Sequence, residues 1–126
     1  MSDADDAMMR GNTAFEAGDV PGALAEYERA VAALAPGDDV IAADLFENLG
    51  IAYWKLGRWT PALRALLRAL DGDLGAREQC LRLLVSCYFR DGHAIDGERL
   101  LREYTDRFGP HPEGWTRNSA LRPGIQ

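Results

Sequence analysis

One pattern, used three times, sets what this chain can fold into. Gly11, Phe15, Gly18-Asp19, Ala23, Tyr27 and Ala30 return as Gly50, Tyr53-Trp54, Gly57-Arg58, Ala62, Leu66 and Ala69. They return again, more loosely, as Val85, Tyr88-Phe89, Gly92 and Leu101. The loop glycines Gly18, Gly57 and Gly92 are 39 and 35 residues apart. A period in that range means stacked helical units, each unable to bury its own apolar face, so stability comes from neighbours. Such a chain offers a surface made by the stack, not one enclosed catalytic cleft.

Helical periodicity runs throughout, and no alternating strand pattern appears. The spacing predicts a first helix over about 3–17, with Ser2 or Asp3 as N-cap and acids in its first turn. Gly18 ends it, being free to take positive φ. A second helix begins near Pro21 and runs to about Leu34, and Ala35-Pro36-Gly37-Asp38-Asp39 breaks the chain. A third spans about 40–56. Thr60-Pro61 supplies an N-cap and first-turn proline for a fourth, ending near Asp71-Gly72-Asp73. Two more follow at about 75–91 and 94–108, before Gly109-Pro110-His111-Pro112. Small residues (Gly11, Gly50, Ala23, Ala30, Ala62, Ala69) mark where one helix lies close on another. Tyr27, Tyr53, Leu66, Tyr88 and Leu101 fill the remaining space.

These residues resemble the tetratricopeptide repeat. Asn48-Leu49-Gly50, Tyr53, Gly57, Trp59, Ala62, Leu66 and Ala69 carry the match in the second repeat, and Gly11, Gly18-Asp19, Ala23, Tyr27 and Ala30 in the first. The third departs from the pattern with Val85, Gly97 and Tyr104, where small residues or alanine are usual. The resemblance implies an all-α, right-handed superhelical stack of antiparallel helix hairpins, one domain over 1–126. Its repeats cover about 4–36, 41–74 and 76–109. Trp115 and Ser119 sit as if opening a fourth repeat. This predicts a capping helix over about 113–121, with Trp115 and Leu121 inward and 122–126 loose; a wholly disordered tail is the other reading.

Composition enters through what it excludes. Net charge is −6, against nucleic acid as the main partner. Residues 1–63 hold 11 acids and 4 bases, a balance of −7, and 64–126 hold 9 acids and 10 bases, a balance of +1. No apolar run is long enough to span a bilayer, and the acidic N-terminus does not read as a secretory signal, which makes the cytoplasm the expected location and membrane insertion unexpected. Cys80 and Cys87, seven apart on one helix face, lack the spacing and histidine neighbours of a metal or redox site, and read as buried thiols. His93 and His111 suggest no ligand set. No phosphate loop or nucleophile motif is present, so neither catalysis nor a cofactor is expected.

In proteins like these, the first helix of each hairpin lines a concave groove that holds a peptide segment. The resemblance implies groove positions at Asp5, Met8, Met9, Asn12, Phe15 and Glu16, then Asp44, Glu47, Asn48, Ile51, Trp54 and Lys55, then Gln79, Arg82, Leu83, Ser86, Phe89 and Arg90. The binding set drawn from them is Met8, Asn12, Phe15, Glu47, Asn48, Ile51, Trp54, Lys55, Arg82, Ser86, Phe89 and Arg90. Phe15, Trp54 and Phe89 are equivalent, each three residues before a loop glycine. They form either an apolar anchor row or half-buried packing between repeats. Asn12 and Asn48 resemble part of the carboxylate clamp that grips C-terminal tails, but the clamp's lysine is Met8 here, and Gln79 and Leu83 replace its later bases. Asparagine contacts to a peptide backbone are expected instead, with Lys55, Arg82 and Arg90 favouring an acidic ligand end. The expected partner is thus a peptide segment or C-terminal tail of another protein. The alternatives are a small chaperone of a secretion or assembly system, or a self-associating scaffold.

Overall fold

The computed structural model describes residues 2–71 and 77–116. Among these residues there are six helices and no strand: α1 (Asp3–Glu16), α2 (Val20–Ala32), α3 (Asp39–Lys55), α4 (Trp59–Leu70), α5 (Glu78–Arg90) and α6 (Ala94–Phe108). They pair as α1/α2, α3/α4 and α5/α6, and α2 packs on α3 as α4 does on α5. This is the helical-hairpin solenoid expected from the period.

Local chemistry fixes the helix ends. Ser2 caps α1 in a capping box, its hydroxyl accepting from Asp5 N and the Asp5 carboxylate accepting from Ser2 N. The three hairpin turns are one turn used three times. Gly18, Gly57 and Gly92 take φ of +85°, +73° and +81°. The next residue then donates its N–H back to a carbonyl one helical turn earlier: Asp19 to Ala14 at 2.9 Å, Arg58 to Tyr53 at 3.0 Å, His93 to Tyr88 at 2.7 Å. A side chain at those glycines would resist the left-handed backbone that closes this bond. The fourth helix differs from expectation at its start. It begins at Trp59, so Pro61 is its third residue, and Thr60 donates its hydroxyl to Asp91 at 3.1 Å rather than capping.

The core is built from the predicted small–large pairs. A Cβ on Gly11 would stand 2.5 Å from the Tyr27 ring, and one on Gly50 2.6 Å from Leu66. Ala23, Ala30, Ala62 and Ala69 are buried, leaving room for the next helix to approach. Tyr104 stands where the first two repeats carry Ala30 and Ala69. It is buried, its ring lies 5.0 Å from that of His111, and its hydroxyl donates to Glu78 at 2.7 Å. The third repeat therefore fills with its own side chain the space into which a following helix would pack.

The segment after α6 differs from the expected capping helix. Gly109, at φ +89°, turns the chain away from α6, and Glu113–Thr116 are not helical. The remainder of 113–121 and the expected loose end lie outside the described residues. Trp115 does point inward, as expected: it is buried and stacks on Phe89, ring centroids 4.8 Å apart. Cys80 and Cys87 are buried in the core, and burial pushes both thiols up to about 12.

Candidate functional site

The repeat register places α1, α3 and α5 side by side, and polar side chains stitch them together. Asn48 Nδ2 donates to Asn12 Oδ1 at 3.1 Å, from α3 to α1. The same Asn12 oxygen accepts from the Tyr27 hydroxyl at 2.6 Å. Both lone pairs of that oxygen are thereby used, which holds the Asn12 amide with its NH₂ group as the end left to donate. Burial, with Glu16 nearby, holds the Tyr27 phenol above its ordinary pKa, so it stays a donor.

Around this pair lies a small open cleft of about 130 Å³, lined by Asn12, Phe15, Glu16, Tyr27, Asn48 and Ile51. Asn12, Phe15, Asn48 and Ile51 belong to the set expected from sequence, and the structure brings them together. Met8 is half-buried against the core close by in sequence. Tyr27 was expected only as filler; its hydroxyl is the feature that sequence reasoning passed over. A buried tyrosine ring needs a partner for its oxygen, which is the signal that could have found it. Glu16, a register position left out of the expected set, is exposed beside the cleft.

The rest of the expected set is committed elsewhere. Glu47 takes the Arg77 guanidinium at 2.6 Å, and Asp44 takes its other arm at 2.8 Å. Arg77, which opens α5, thus ties it to α3. Trp54 is half-buried and donates Nε1 to Ser86 Oγ at 3.2 Å, a bond between repeats. Ser86, expected on the groove surface, is fully buried, and Leu83 is buried as well. Lys55 is exposed, with its ammonium 5.9 Å from the Trp54 ring centre.

Arg82 and Arg90 also correct the expectation that they stand ready for an acidic ligand. Arg82 pairs with Glu78 at 3.0 Å, and Arg90 Nη2 with Glu113 at 3.3 Å. Glu78 lies one turn before Arg82 on α5 itself, whereas Glu113 comes from the non-helical segment His111–Thr116, which lies over the third repeat as a strap. Glu113 accepts from Arg90 and, at 3.4 Å, from Ser86. Trp115 covers Phe89, whose ring also lies against Gly97, where a Cβ would stand 3.0 Å from it. The aromatic row is therefore not one open strip. Phe15 borders the cleft, Trp54 bridges two repeats, and Phe89 is covered.

A larger cleft of about 460 Å³ lies between α6 and the strap, lined by residues including Leu101, Thr105, His111 and Trp115. It lies at the end of the described stack, beside the last helix. Among the described residues no group of three His, Cys, Asp or Glu side chains could hold a metal ion, and no helix is long and apolar enough to cross a membrane.

The family model described as the tetratricopeptide repeat matches residues 5–74, 70 of the 126 residues. No curated protein matches the chain.

Proposed function

Because this chain belongs to the tetratricopeptide repeat family, we propose that it is a non-catalytic protein-interaction module holding a peptide segment of a partner against α1 and α3. The observation that carries this reading is the cleft lined by Asn12, Phe15, Glu16, Tyr27, Asn48 and Ile51. At about 130 Å³ it is well below the roughly 300–1,000 Å³ of small-molecule pockets. It suits a single side chain of an extended peptide. Phe15 and Ile51 give that side chain apolar contact, and the free Asn12 NH₂ faces backbone carbonyls.

Charge narrows the ligand further. Glu16 is an exposed carboxylate beside the cleft, the first 63 residues carry −7, and Arg82 and Arg90 are neutralised within the chain. The segment that fits is an apolar residue flanked by a basic one, rather than an acidic tail. Selection from a displayed random-peptide library, followed by titration of the selected peptides, tests this. Enrichment of apolar–basic motifs is expected, with affinity falling about tenfold or more in Ile51→Glu and in Glu16→Arg while melting stays within a few degrees. Selected peptides that bind both variants as tightly as the wild type would overturn the assignment.

A further inference from the structure

Most arginines among the described residues are neutralised from within the chain: Arg10 meets Glu26, Arg77 meets Asp44 and Glu47, and Arg99 meets Asp96. Arg64 and Arg68 are different. They are exposed, one turn apart on α4, and neither has an ion pair among the described residues. Like charges at that spacing repel. The free protein therefore carries a cost that an anion set between the two guanidiniums would relieve.

The same two arginines line an apolar cleft. It measures about 280 Å³ and lies between α3 and α4, with Phe46, Leu49 and Tyr53 on one side and Pro61 and Ala65 on the other. The Arg68 guanidinium rests over the Phe46 ring, 4.6 Å from its centre. A guanidinium held on a ring face keeps its N–H edge for an acceptor, and its planar fork matches a carboxylate. The Tyr53 hydroxyl is already taken, donating to Glu28 of α2 at 3.3 Å. Burial first, and then Glu28, raise the Tyr53 phenol, while Arg58 is near enough to oppose them. Arg58, exposed where α4 begins, thus adds a third positive charge close to this cleft.

We infer that this cleft is a second docking surface: it takes an acidic segment of a partner protein, seating one apolar side chain against Phe46 and Leu49 and a neighbouring carboxylate on Arg64 and Arg68. The surface is separate from the cleft at Asn12. On α3, Asn48 and Ile51 line that first cleft, whereas Phe46, Leu49 and Tyr53 line this one. At about 100° per residue, the two groups centre about 160° apart around the helix. Their charge preferences are opposite as well. The net charge of −6 does not forbid an acidic ligand. Charges act over only about 8 Å at physiological salt, so the arginines beside the cleft outweigh acids elsewhere on the chain.

Amide ¹H–¹⁵N shifts of the full chain test this, titrated with a short peptide that sets one leucine among aspartates and glutamates. Shifts are expected along α4 and at Phe46, Leu49 and Tyr53, and not at Asn12 or Phe15. Affinity should fall about tenfold or more when Arg64→Glu and Arg68→Glu are combined, and it should weaken as salt rises. Arg68→Glu also strips the cover from Phe46. Arg64→Glu alone leaves that contact in place and should still weaken binding about threefold, with helix content unchanged. A counterpart peptide with asparagines and glutamines should bind at least about tenfold more weakly. Ile51→Glu, which alters only the first cleft, should bind the acidic peptide as the wild type does. Equal binding by the doubly reversed chain, equal binding of the neutral peptide, loss of binding in Ile51→Glu, or no response to the acidic peptide would each overturn the inference. Capture of the chain by anionic phospholipid vesicles in place of the peptide would assign the arginines to a lipid surface and overturn it too.

Discussion

Substituting Gly11 by alanine probes how closely α1 must approach α2. The added Cβ would meet Tyr27 Cε1 at 2.5 Å and Cδ1 at 2.6 Å, well inside van der Waals contact. The ring has little freedom to yield. Tyr27 is 2% exposed, and its hydroxyl is tied to Asn12 at 2.6 Å. Overpacking of this kind costs about 1–3 kcal/mol. Pulling the hydroxyl off Asn12 adds about 1 kcal/mol. Alanine's better helix propensity returns about 1 kcal/mol, leaving a net loss of about 1–3 kcal/mol. For a chain of this length that lowers the melting temperature by roughly 4–12 °C. Urea unfolding followed by circular dichroism measures it, with the midpoint moving and the slope unchanged. The sign should reverse in a Tyr27→Val background, which removes the ring. There Gly11→Ala becomes neutral or stabilising by up to about 1 kcal/mol. A loss of the same size in both backgrounds would show that the Gly11–Tyr27 contact is not what the glycine protects.

Two further outcomes follow from buried groups. With thiols pushed up to about 12 from an ordinary 9.0, Cys80 and Cys87 should react with a thiolate-specific reagent near pH 8 roughly a thousandfold more slowly in the native chain than in urea. Comparable rates would show that the thiols are accessible without unfolding. Tyr104→Phe removes the 2.7 Å bond to Glu78 while keeping the ring against Phe108 and His111, and should lower stability by about 1 kcal/mol in urea titrations. No change would mean that Glu78, already paired with Arg82, gains nothing from the phenol.

The amino-acid sequence by itself determined the helices, their turns and their pairing. Gly18, Gly57 and Gly92 are local requirements of a left-handed backbone, Ser2 is a local cap, and Gly11–Tyr27 and Gly50–Leu66 are size matches at one fixed spacing. Each can be read within a single hairpin, because the period sets which residues face each other. The site depended on bonds between hairpins, where the period gives proximity but not pairing. Asn12 and Asn48 are 36 residues apart, Trp54 and Ser86 are 32 apart, and Arg82 and His111 are 29 apart. Register brought Arg82 and Arg90 to the groove helix. Arg82 meets Glu78 of its own helix, and whether the Arg90 guanidinium meets a ligand or a carboxylate of its own chain was decided by where the strap lies. That depends on the turn at Gly109 and on the space Tyr104 fills, neither of which the repeat encodes. Tertiary packing therefore left the first two repeats with an open cleft and an exposed carboxylate at Glu16, and gave the third its cover.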